Sequence, residues 1–274
     1  MGYNFHNMIE ITGMNKWLFF FLPLLCSFQL IAGKVEVKNL QCQHMTDPLG
    51  VEILKPQLSW KIISSQRNVM QTAYRILVSD NLFSLEKNDG NVWDSKKVRS
   101  AQSIEVSYAG RKLESRKIYY WKVMVWDNKG SEPSWSNTAK WQMGLLTPAD
   151  WKGAQWIAYE KMPDSLRIVP AIHGNGKPVP GYKTEILPLL RKEFTVTKTV
   201  KNATAFISGL GHFDLRLNGK KVDDHFLDAG WTQYDKHALY VTFDITKSLK
   251  QGKNAVGVML GNGFYYVPPS AIVN

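Results

Sequence analysis

A chain of 274 residues that is 44% hydrophobic and 12% aromatic is long enough for about two domains with buried cores, and too apolar to be disordered. Lys and Arg outnumber Asp and Glu by 34 to 23, a bias that favours acidic partners through the long-range field. The basic residues are scattered singly or in pairs, with no run of five, so they read as a solvated surface and nucleic-acid binding is set aside.

The amino end comes first. Residues 17–33, "WLFFFLPLLCSFQLIAG", carry no charge, follow Lys16 and close on the small residues Ala32 and Gly33. That is the layout of a secretory signal. Residues 1–13 hold an acid and no Lys or Arg, which is wrong for the region ahead of the apolar core, so Met14 is read as the start. Residues 1–33 are therefore expected to be a signal peptide, and the protein to be exported to the periplasm or the exterior. A membrane anchor is the weaker reading, because Pro23, Ser27 and Gln29 interrupt the run. A lipid-modified Cys26 is weaker still, with bulky Leu24 and Leu25 where small residues usually stand. Cleavage near Gly33 leaves Cys42 as the one thiol, so no intrachain disulfide forms, which suits a bacterial export route. The sequon Asn202-Ala203-Thr204 matters only in a eukaryotic one.

Beyond residue 33 the dominant period is two. Leu58, Trp60 and Ile62 share one face, as do Tyr74, Ile76 and Val78, and Tyr119, Trp121, Val123 and Val125. Turn clusters such as "KNDGN" at 87–91 and "DNKGSEPS" at 127–134 separate the runs. Residues 34–148 are read as a β-sandwich. Leu113, Ser115 and Tyr119 stand as L-x-S-x-x-x-Y ahead of "YWKVMVWD", which resembles the tyrosine corner of fibronectin type III domains, except that proline is usual where Ser115 stands.

Pro148 breaks the last of these strands, and Trp151 with Trp156 opens a new element in "WKGAQWIA". Residues 159–187 are rich in Pro and Gly without periodicity, a length of loop that is usually functional or disordered. Residues 149–274 then show strand patterns again. Phe213, Leu215 and Leu217 alternate with Asp214 and Arg216 ahead of Asn218-Gly219, the signature of a type I′ hairpin. Leu239, Val241, Phe243 and Ile245 alternate in "LYVTFDI", and "AVGVML" at 255–260 reads as a central apolar strand. "AQWIA", "LLRKEFTV", "ATAFIS", "FDLRLN", "ALYVTFDI" and "AVGVML" make about six strands, where a jelly roll usually has eight. The fold class expected is all-β: a fibronectin type III-like sandwich followed by a jelly-roll, galactose-binding-like sandwich that is incomplete at its carboxyl end.

Several pieces of the second half carry a resemblance. They are Leu217-Asn218-Gly219-Lys220, Gly230-Trp231-Thr232 with Tyr234, Tyr240, Asp244-Ile245-Thr246 leading to Leu249, and Gly261-Asn262-Gly263-Phe264-Tyr265. In this order they closely resemble the amino-terminal β-sandwich of bacterial α-L-rhamnosidases of glycoside hydrolase family 78, where tryptophan is commoner at the place of Phe264. "PQLSW", "QTAYRILVS", "YYWKVMVWD" and "WSNTAKWQMG" are similar to the fibronectin-like module that often precedes it. The resemblance covers residues 34 to about 266. It implies an enzyme family that hydrolyses terminal α-L-rhamnose from glycans with inversion, using two carboxylates of an (α/α)6 barrel carboxy-terminal to the sandwich. Such chemistry needs an acid on the leaving oxygen and a base on the attacking water. This chain ends ahead of that barrel, so the resemblance implies an accessory fragment without activity alone, partnered by the barrel and by rhamnose-containing glycans. The alternative is a free-standing carbohydrate-binding protein.

No residue here is assigned as catalytic, and no metal, cofactor or nucleic acid is expected. Asp223 and Asp224 are adjacent and would point to opposite faces of a strand. His212 with Asp214 shares a face, but a structural hydrogen bond is the commoner fate of such a pair at a hairpin edge. His225, Asp228 and His237 lack a fixed metal-binding spacing. Glycan contact is assigned to Trp231, Tyr234, Asn262, Phe264 and Tyr265, since sugars dock their C–H faces on aromatic rings beside amides in preformed concave sites. The competing reading packs these rings against a neighbouring domain.

Overall fold

The computed structural model describes residues 35–159, 187–263 and 265. The expected signal peptide, nearly all of the Pro/Gly-rich segment and Phe264 lie outside the described residues. Two sheets form the front half. One has the order β1 (Glu36–Cys42), β2 (Gln57–Ile63), β5 (Val106–Ser107). The other runs β4 (Trp93–Asp94), β3 (Gln71–Ser79), β6 (Ile118–Asp127), β7 (Ala139–Gln142). All pairings are antiparallel, and the division of three strands facing four is that of the expected sandwich.

The period-two faces land inside. Leu58, Trp60, Ile76, Val78, Tyr119, Trp121 and Val123 are buried, with Trp141 and Met143 from β7 and its exit. Burying each large apolar side chain contributes about 1.5–3 kcal/mol. Trp60 and Gln71 satisfy each other's polar atoms here: the Trp60 indole donates to Gln71 Oε1 at 2.9 Å, and the Gln71 amide donates to the carbonyls of Ser100 and Gln102. The tyrosine corner is present. The Glu114 N–H donates to the Tyr119 hydroxyl at 2.9 Å, and the Tyr119 ring stacks on Trp141 at 5.5 Å between centroids. Between β3 and β4 the chain adds a helical turn, α1 (Leu82–Glu86), capped by the Asn81 side chain and anchored by buried Leu85. Its apolar content is too short to show a helical period.

A 3-10 turn, Pro148–Trp151, follows β7. "AQWIA" forms no strand: Trp156 and Ile157 are exposed, and among the described residues no strand lies beside them for their alternation to serve. The rear half is instead built from β8 (Leu189–Val196), β9 (Thr204–Ser208), β10 (Phe213–Leu217), β11 (Lys220–Lys221), β12 (Tyr240–Asp244) and β13 (Gly252–Leu260). The order is β11-β10-β13-β8 in one sheet and β12-β9 in the other. As expected, β13 is central, pairing with β10 from Val256 opposite Leu217 to Leu260 opposite Phe213, and with β8 along its other edge. Asn218 and Gly219 both have positive φ, 52° and 82°, closing β10 to β11 as a two-residue I′ turn. The core between the sheets is Phe213, Leu215, Ala229 and Phe243, ringed by half-buried Ala205, Ile207, Val241, Val256 and Val258.

Candidate functional site

After β11 the chain runs through residues 222–239 without regular strands. A tight turn closes part of it, with the N–H groups of Lys236 and His237 both donating to the Gln233 carbonyl and the Thr232 hydroxyl donating to the His237 carbonyl. That turn presents Tyr234, whose ring meets the edge of Tyr265 at 5.4 Å and 87°. Burial pushes the Tyr234 hydroxyl pKa above its ordinary value. Of the five assigned contact residues, the structure thus joins Tyr234 and Tyr265. Trp231 lies 68% exposed. Asn262 is half-buried, and its segment is held by its backbone: the Gly261 N–H donates to the His212 carbonyl at 2.6 Å, and a side chain at Gly211 would run into the Asn262 carbonyl.

The titratable groups nearby have structural partners. His212 Nδ1 meets the Leu227 carbonyl at 3.1 Å, and Asp214 accepts from Arg216 Nε at 2.7 Å, so the two do not form an acid-base pair. His225 lies 3.0 Å from Asp228 and 3.8 Å from Asp223, with its ring tilted on Phe243. Asp223 and Asp224 lie past the end of β11, and the Asp224 N–H donates to the Asp223 carboxylate, which holds that carboxyl below its usual range. No group of three His, Cys, Asp or Glu side chains among the described residues is arranged to hold a metal ion.

The most constructed feature is the seam between the two halves, which the sequence reading did not single out. β9 and β12 pair Tyr240 with Ser208, Thr242 with Phe206 and Asp244 with Thr204. One face of this ribbon, with Ala205, Ile207, Val241 and Phe243, completes the rear core. The opposite face meets the front sandwich. The Leu145 N–H donates to the Tyr240 hydroxyl at 2.9 Å, Gln142 Nε2 donates to Thr204 Oγ1 at 2.9 Å, and Trp151 packs edge-on against Tyr240 at 5.5 Å. Burial, with Glu52 beside it, pushes the Tyr240 hydroxyl up to about 12. Two glycines permit this approach: a Cβ on Gly144 would overlap the Tyr240 hydroxyl, and one on Gly50 would lie 2.6 Å from Thr242 Oγ1. Beside the contact a groove of about 410 Å³ opens between the halves. Asp80, Arg116, Lys117 and Tyr120 line its front wall and Asn202, Thr204 and Phe206 its rear wall.

Comparison with known proteins gives both halves relatives. A family model described as "Rha78A-like, N-terminal immunoglobulin domain" matches residues 37–147, and one described as "Alpha-L-rhamnosidase N-terminal domain" matches residues 198–271. A protein of Formosa agariphila named alpha-L-rhamnosidase is 36% identical over 242 residues, covering 86% of this chain and 25% of the relative. One of the same name from Alteromonas sp. is 35% identical over 226 residues, covering 81% and 23%. Among solved structures, an alpha-L-rhamnosidase from Dictyoglumus thermophilum has 35% identity and a TM-score of 0.71 over 83% of this chain and 25% of that one. The native enzyme from Aspergillus terreus has 26% identity and a TM-score of 0.66 over 85% and 24%. The chain spans about a quarter of the length of the curated relatives it matches.

Proposed function

Because the chain belongs, by both of its halves, to the amino-terminal region of α-L-rhamnosidases, we propose that it serves as the non-catalytic amino-terminal part of an exported enzyme that releases terminal α-L-rhamnose from glycans. The observation that carries this reading is the two family matches standing in order along one chain. The role fits the seam, where Gly50 and Gly144 let the two halves pack closely. Export rests on the uncharged run 17–33 behind Lys16.

Incubated with an aryl α-L-rhamnoside, the 274-residue protein is expected to release no aryl alcohol above the uncatalysed rate. Sustained turnover at enzyme-like rates would overturn the reading.

A second reading, direct glycan contact by the loop cluster, is favoured by the 68% exposure of Trp231 and the meeting of Tyr234 with Tyr265. It requires saturable binding of a rhamnose-terminated oligosaccharide that Trp231→Ala weakens about tenfold, the scale of one lost aromatic anchor. Equal affinity in the variant would remove it.

A further inference from the structure

The seam groove has a chemistry of its own. At about 410 Å³ it is in the range of small-ligand sites, which are mostly preformed and orient their ligands by a few placed polar groups. Its walls come from both halves, and the contacts of Tyr240 with Leu145 and of Gln142 with Thr204 hold those halves together. Two aromatic rings line it, Tyr120 and Phe206, both half-buried. The Tyr120 hydroxyl and the exposed Asn202 amide lack an intrachain side-chain hydrogen bond among the described residues, leaving donors and acceptors for a ligand.

The two cations of the groove differ in how far they are already neutralised. Lys117 Nζ is held at 2.9 Å by Asp80 and at 3.1 Å by Glu114. Among the described residues, the carboxylate that meets the Arg116 guanidinium is that of Asp150, whose Oδ1 lies 3.9 Å away, beyond hydrogen-bond reach. The other oxygen of that carboxylate is occupied by the hydroxyls of Ser115 and Thr147 and by the Thr147 N–H. Arg116 is nonetheless fixed in place: its N–H donates to the Gly144 carbonyl, its own carbonyl accepts from Gln142 Nε2, and its backbone sits at φ 66°. One backbone bond and one from the Gln142 side chain thus hold the turn at Arg116 and fix where its side chain leaves the chain.

We propose that this groove binds a uronic acid residue of an acidic glycan, with the sugar carboxylate on the Arg116 fork. A planar guanidinium matches a carboxylate bidentately, the rings of Tyr120 and Phe206 take the C–H face of the pyranose, and Asn202 meets its hydroxyls. The choice of a sugar rests on the glycan-processing reading above, while the choice of an acidic one rests on Arg116 alone.

The test uses the full chain, made in a bacterial host so that the Asn202 sequon stays unmodified. A methyl hexuronoside and its methyl ester are titrated by calorimetry and saturation-transfer NMR. Expected is saturable binding of the acid, with the ester at least about tenfold weaker, since a hydrogen bond to a charged partner is lost. Arg116→Gln is expected to weaken the acid by a similar factor and leave the ester unchanged. Asn202→Ala, on an exposed side chain, is expected to weaken both without altering the melting temperature. Equal binding of acid and ester, indifference to Arg116→Gln in a protein that melts normally, or no saturable binding of the acid would each overturn the proposal. If Arg116→Gln fails to fold, the comparison of acid with ester and the Asn202→Ala result decide. A sulfated neutral glycoside runs as a third arm, and preference for it over the uronoside also counts against the proposal. None of these outcomes bears on the rhamnoside assay, so the two readings fail separately.

Discussion

Ser115 stands where the fibronectin pattern usually carries proline, and its hydroxyl explains the exchange. It accepts from the Leu146 N–H at 3.1 Å and donates to Asp150 Oδ2 at 2.6 Å, tying the tyrosine corner to the 3-10 turn that leaves the front sandwich. Proline would supply neither bond. The strongest single pair elsewhere is Arg75 with Asp94, joined through Nε at 2.9 Å and Nη2 at 2.8 Å while Lys96 adds a third cationic contact. The Arg75 hydrogen bond, ahead of those from Lys96, holds the Asp94 carboxyl well below its ordinary 3.8. A carboxyl lowered on folding adds stability above its unfolded pKa and loses that contribution as pH falls through and below it. Asp94→Asn should therefore cost about 2 kcal/mol at pH 7, the scale of a charge-assisted bidentate pair that is partly buried. The gap to the parent should hold down to about pH 4 and narrow below it. Urea titrations at pH 7, 5 and 3 measure it; a gap that stays constant to pH 3 would assign the loss to packing instead of charge.

At the scale of elements, the strands with alternating sequence were legible. β2, β3, β6 and β10 show an alternation that states which residues go inside, and Asn218-Gly219 states the turn. What misled was a short apolar stretch with nothing to pair with. "AQWIA" has strand composition, but a strand is made by its neighbours, and among the described residues none lies beside 154–158. β11 is outside the count of six strands, since Lys220 and Lys221 carry no apolar signal, yet the expected I′ hairpin delivers them opposite Leu217 and Arg216. The turn itself is then the element most sensitive to a single change. Gly219 has φ 82° and open space where a Cβ would sit, so Gly219→Ala meets no clash and its cost is the backbone term alone, about 1 kcal/mol. Thermal unfolding should show that loss with unchanged strand content by circular dichroism, whereas a neutral result would mean that the turn relaxes to another type.

For the whole molecule, the sequence reading placed its aromatic candidates in loops and overlooked the seam, for a physical reason. The outer face of β9 and β12 reads Thr204, Phe206, Tyr240 and Thr242, and a mixture of hydroxyl and ring looks the same whether it meets water or another sheet. The signal that could have marked it is small: Gly50 and Gly144 are about ninety residues apart in sequence, and only their meeting with the ribbon shows why neither carries a side chain. The Gly144 backbone does not itself need glycine, since its φ lies outside the left-handed region that Gly50 occupies at 73°, and the nearest atom to an added Cβ is the Tyr240 hydroxyl, ahead of the Gly50 carbonyl and Glu52 Cγ of the front half at 3.0 and 3.1 Å. A methyl group there is therefore a selective wedge. It would meet the Tyr240 hydroxyl and lie 3.0 Å from the Gly50 carbonyl, so Gly144→Ala should displace Tyr240, break its bond from the Leu145 N–H and strip Trp151 of its ring partner, while the front core of Trp60, Trp121 and Trp141 stays closed. The parent, with its halves coupled through the seam, should unfold in one calorimetric transition, and the variant in two, the earlier belonging to the rear half with its few fully buried side chains. One unaltered transition in Gly144→Ala would mean that the halves are coupled by something other than this contact. Two transitions already present in the parent would mean that the seam is too weak to couple them, and the groove along it would then have walls free to move apart.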